Sequence, residues 1–126
     1  MPVKFEIDHA RRFVHARAEG DVGLKDIEAF LDTVVVENAL PYRKLFDGRR
    51  AIGRYVDDDL MLLAARVGVY SQIDRRGALA ILTPPQYVEL TARFLNLGRS
   101  ERPARSFLSF LDEGEAMRWL EAQPEI

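Results

Sequence analysis

Cysteine is absent from the 126 residues, so the chain can make no disulfide, no thiolate nucleophile and no thiolate-bound metal site. Lysine is nearly absent as well. Three lysines stand beside fifteen arginines, so positive charge rests mainly on planar guanidiniums. Neither sign of charge dominates: 18 basic and 20 acidic residues leave a formal charge of -2, which gives no global field for drawing in nucleic acid and disfavours it as a partner. Long apolar runs are missing, and crossing a bilayer takes about 20 residues, so no membrane span is expected. The start of the chain, Met1-Pro2-Val3-Lys4-Phe5-Glu6, lacks the apolar stretch of a signal peptide and reads as cytoplasmic. A glycine-rich phosphate loop is also missing, because Gly48 and Gly53 stand too far apart and no Gly-Lys-Ser/Thr ending follows.

What is present is a pattern of strands and helices. A composition of 48% apolar and 30% charged residues suits an ordinary globular protein, and the length suits a single domain over residues 1–126. Val3 to Asp8 and Arg12 to Ala18 alternate with period two around His9-Ala10-Arg11, which predicts a hairpin. After Gly20 and Gly23, the residues Leu24, Ile27, Phe30, Leu31, Val34 and Val35 share one side of a helix, which Asn38-Ala39-Leu40-Pro41 should stop. A strand from Tyr42 to Asp47 follows, with Gly48 as its expected end. A second helix is predicted from Asp57, with Leu60, Leu63, Ala64 and Val67 on one face and the acids 57 to 59 in its first turn. Gly77 to Leu82 is the most apolar strand. Thr83 is the expected N-cap of a third helix, with Pro84 at its first position and Tyr87, Leu90, Thr91, Phe94 and Leu97 on one face. Arg105 to Leu111 reads as the last strand, and Asp112-Glu113-Gly114-Glu115 has the Asp-x-x-Glu form of a capping box before Ala116, Met117 and Leu120. The predicted fold is α/β in the order ββαβαβαβα: a mixed, mostly parallel five-stranded sheet with four helices.

That order, with Leu45-Phe46-Asp47, Ala78-Leu79-Ala80-Ile81-Leu82-Thr83-Pro84 and the run from Phe110 to Leu120 that holds Glu115-Ala116 and Trp119-Leu120, resembles a STAS-like domain over nearly the whole chain. The family takes its name from sulfate transporters and anti-sigma-factor antagonists, and the resemblance points to small stand-alone bacterial proteins of unassigned role. In the antagonist branch it implies a phosphorylated Ser or Thr at the start of the helix after the third strand. The matching stretch here, Arg54-Tyr55-Val56-Asp57-Asp58-Asp59-Leu60, offers no hydroxyl except that of Tyr55, so the switch residue is missing. Asp57, Asp58 and Asp59 either stand in for the phosphate or simply cap a helix.

The carboxyl ends of parallel strands commonly form a ligand crevice, which makes Arg49, Arg50, Arg54 and Thr83, with Asp57 and Asp58, candidates for binding a partner or an anion. The simpler account of the arginines is solvation on a loop. Within the predicted strand Ala78 to Leu82 both faces are apolar, so the sheet face opposite the crossover helices needs a cover, either from this chain or from a second subunit in a homodimer. His9 and His15 have no further ligands at metal spacing, and no cofactor is implied. The serines at 71, 100, 106 and 109 lie in no Gly-x-Ser-x-Gly turn and have no base predicted beside them, so an enzyme is disfavoured. A hydrolase or isomerase using Asp57 or His15 would be the form such an activity took. The leading expectation is a non-enzymatic regulatory domain acting through a protein contact near residues 48 to 59. The alternative is an apolar-ligand carrier, since STAS domains are related in fold to CRAL-TRIO lipid-transfer domains; Tyr70, Tyr87, Phe94 and Leu97 would then line a cavity rather than fill the core.

Overall fold

In the computed structural model, which describes residues 2–53, 59, 62, 65–66, 77–85 and 107–123, one sheet of five strands runs in the spatial order β1-β2-β3-β4-β5. The elements are β1 (Val3–Asp8), β2 (Phe13–Val22), α1 (Leu24–Val36), β3 (Arg43–Gly53), β4 (Leu79–Leu82), β5 (Phe107–Phe110) and α2 (Glu113–Ala122). β1 and β2 pair antiparallel, whereas the other three neighbouring pairs are parallel. The sheet is therefore mixed and mainly parallel. Two complete helices lie among the described residues rather than the four expected. Residues 59, 62, 65 and 66 are helical within the expected second helix, and the rest of that helix lies outside the described residues, as does the expected third helix beyond Pro85; Pro84, its expected first position, is not helical.

Period-two alternation sorts the side chains onto two faces. Val14, Ala16 and Ala18 of β2 join Val3 of β1 and pack against Phe30 and Val34 of α1. Phe5 meets Phe30 edge to face at 5.1 Å between ring centroids. On the opposite face, Leu45 of β3 with Ala80 and Leu82 of β4 packs against Ala116 and Leu120 of α2. Of the two apolar faces predicted for β4, Leu79 and Ile81 on one are half-buried, while Ala80 and Leu82 on the second are buried. The cover for the second face comes from the chain itself: α2 follows the last strand, is no crossover, and folds back across β3, β4 and β5. That cover meets, over these strands, the demand that suggested a second subunit.

α2 starts as its sequence predicts, with the Asp112 carboxylate accepting a hydrogen bond from the Glu115 N–H at 2.9 Å. α1 ends differently from expectation. Asn38 takes a left-handed conformation, φ 57°, while its N–H donates to the Val35 carbonyl and the Ala39 N–H to that of Val34. This is a Schellman ending, and it stops the helix before Pro41 has any effect.

The strand expected to finish at Gly48 instead runs to Gly53. Its partner explains the difference. β2 itself extends past Ala18 to Val22, and Glu19 to Val22 pair with Arg50 to Gly53. Between the pairs Arg17–Asp47 and Glu19–Arg50, β3 has two residues where β2 has one, so Gly48 and Arg49 form a bulge rather than a turn. Arg49 and Arg50 thus belong to a strand and not to a loop.

Candidate functional site

Because α2 crosses β3 to β5, the polar sides of β2 and β3 are left to form a shallow pocket of about 390 Å³, lined by His15, Arg17, Ala18, Glu19, Asp47, Arg49, Arg50 and Glu113. Three elements converge there. β2 presents His15, Arg17 and Glu19, which alternate with Val14, Ala16 and Ala18 packed in the α1 core. β3 presents Asp47, Arg49 and Arg50 around the bulge, and α2 contributes Glu113 from its first turn.

Arg49 organises the floor. Its Nη2 donates to Asp47 Oδ2 at 2.8 Å and its Nε to Asp47 Oδ1 at 3.0 Å, while its backbone N–H also donates to Oδ1 at 3.1 Å. The same Nη2 reaches Glu113 Oε1 at 3.3 Å, which ties the bulge to the start of α2. The Arg49 side-chain hydrogen bonds, against the opposing push of burial, hold the Asp47 carboxyl below its ordinary range; the Arg49 N–H, its charge and that of His15 add to this. The Arg49 guanidinium is raised in turn, first by its bond to Asp47.

Both Asp47 oxygens accept from Arg49, and Arg17, which faces Asp47 in register, makes no ion pair with it. The side chains of Arg17 and Arg50 make no hydrogen bond or ion pair among the described residues. His15 Nε2 is buried and has no hydrogen-bond partner. His9 lies elsewhere, with its Nδ1 2.8 Å from the Tyr42 hydroxyl. Among the described residues no three His, Asp or Glu side chains cluster as metal ligands would.

The candidates named from sequence are only partly assembled. Arg49 and Arg50 meet in the pocket, but Arg49 is engaged by two carboxylates rather than solvated. Thr83 is buried next to β4, its N–H donating to the Phe110 carbonyl at 3.1 Å, and it does not line the pocket. Arg54, Asp57, Asp58, Tyr70, Tyr87, Phe94 and Leu97 lie outside the described residues. Sequence reasoning missed Arg17, Glu19, Asp47 and Glu113, although the alternation of His15, Arg17 and Glu19 with apolar Val14, Ala16 and Ala18 marked one polar face of β2.

This architecture is shared with solved proteins. Over 94% of its length the chain is similar to 93% of an uncharacterized protein of the DUF3478 family with a SpoIIAA-like fold from Shewanella loihica PV-4, with a TM-score of 0.59 and 20% identity. It is similar also, over 95% of its length and 98% of the other chain, to the anti-sigma factor antagonist SpoIIAA in its unphosphorylated form, with a TM-score of 0.56 and 17% identity. The fold is STAS-like. No protein-family model and no curated protein matches the sequence. At 17% and 20% identity, the likeness establishes the STAS-like fold alone and assigns no residue a role. No helix among the described residues is long and apolar enough to cross a membrane.

Proposed function

We propose that this STAS-like domain is a non-enzymatic regulatory module that docks a protein partner on the surface made by the second half of β3 and the start of α2, without a Ser/Thr phosphorylation switch. The observation that carries the reading is the mixture of side chains there. Ile52, two residues beyond Arg50, is 52% exposed, and Leu111, two residues before Glu113, is 57% exposed. Large apolar side chains left in water beside arginine and carboxylate groups are the composition of a protein interface. The similar solved chain named as an anti-sigma factor antagonist supports the same class of role.

The test uses the purified domain as bait in extract of its own host, followed by direct binding of the captured protein. Ile52→Asp and Arg50→Glu should each weaken that binding while leaving the circular dichroism spectrum unchanged. Failure to capture any reproducible partner, or equal binding by both variants, would refute the reading.

A further inference from the structure

We infer that the pocket between β2 and β3 is a binding site for a small oxyanion, a phosphate or carboxylate group of a soluble ligand, seated between the guanidiniums of Arg17 and Arg50 and within reach of His15 Nε2. This goes beyond the docking role and does not depend on it. Part of the charge in the pocket wall is already paired. Arg49 is forked onto Asp47 and bridged to Glu113, so its one guanidinium is shared between two carboxylates. The guanidiniums of Arg17 and Arg50 line the same depression from neighbouring strands, with Glu19 paired in register with Arg50.

Each guanidinium has a fork of N–H donors that matches an oxyanion, and neither is engaged among the described residues. The second, independent observation is His15. Its Nε2 is buried in the same wall with no partner, whereas buried polar atoms in folded proteins are nearly always satisfied. With its proton on that nitrogen, His15 can donate to a third oxygen of the same anion. The bulge is what makes the geometry available, because it brings Arg50 to the face of the sheet that already holds Arg17.

Titration of the domain with inorganic phosphate and, separately, with citrate, at constant ionic strength, tests the assignment. Saturable binding by either is expected, with a shift of the His15 ring resonances in the NMR spectrum as the anion is added. Arg17→Met with Arg50→Met should weaken binding by roughly tenfold or more, and Val36→Thr, at an exposed position on α1, should leave it unchanged. Phosphate binding without citrate binding would identify a phosphoryl ligand, and the reverse a carboxylate. Absence of saturable binding, or binding that leaves the His15 resonances unmoved, would overturn the site. Because the NMR readout is made on the unaltered protein, the result stands even if the double variant fails to fold.

Discussion

Arg49 holds Asp47 at two points, Nη2 on Oδ2 at 2.8 Å and Nε on Oδ1 at 3.0 Å, although only Gly48 separates them in the chain. A fork between residues two apart in a regular strand would be ordinary for two side chains on one face. Here the bulge adds a third bond, from the Arg49 N–H, so the carboxylate braces the irregular backbone as well as the guanidinium.

Asp47 should therefore make stability depend on acid pH. Its carboxyl is held below its ordinary value near 3.8, above all by the Arg49 side-chain bonds. The stabilisation it provides is present above that ordinary value and is lost as pH falls through the lower, folded-state value. Asp47→Asn should flatten this part of the acid limb and lower stability at neutral pH by about 0.5–1 kcal/mol, the range for partly exposed pairs. Chemical denaturation from neutral pH down into the acid range, on both proteins, measures it.

Asn38 ends α1 at φ 57°, in a region where a side chain with a Cβ is strained and Asn is tolerated better than most. Asn38→Ala should cost about 1 kcal/mol, whereas Asn38→Gly should raise the denaturation midpoint, because glycine adopts this conformation without strain. Equal midpoints for the two variants would show that the Schellman ending is not under conformational control.

Gly77 is fixed by space rather than by backbone angle. A Cβ there would lie 2.2 Å from the Pro41 carbonyl oxygen and 2.3 Å from that of Tyr42, both of them backbone atoms. Its N–H donates to the Leu40 carbonyl at 2.9 Å, so the entry to β4 is locked against the segment before β3. Gly77→Ala should destabilise by about 3 kcal/mol, the upper part of the usual range for overpacking, and thermal unfolding against the parent protein reads the loss.

Local rules made much of this fold legible. β4 declared itself by apolar residues on both faces, α1 by its repeat from Leu24 to Val35, and α2 by the Asp112 cap, all of which depend on residues near in sequence. The length of β3 did not, because Gly48 looks like a terminator until the tail of β2 supplies partners for Arg50 to Gly53. The cover over Leu45, Ala80 and Leu82 was equally hidden, since it comes from a helix more than thirty positions away from the nearest of them, Leu82. The pocket fared worst for the same reason. Arg49 and Arg50 drew notice as a charged pair, but Arg17 and Glu113 join them only through strand pairing and the return of α2.

One surplus residue inverts the second half of β3. Counting on from Asp47 without the interruption at Gly48 and Arg49, strict alternation would send Arg50 and Ile52 beneath α1 and turn Ala51 out to water. As built, Ala51 packs inside against the α1 core and Arg50 comes to the pocket. The inside-out assignment of an entire strand end thus hangs on a single phase slip, and that slip is what adds Arg50 to the charged face that Arg17 and Glu19 already occupy.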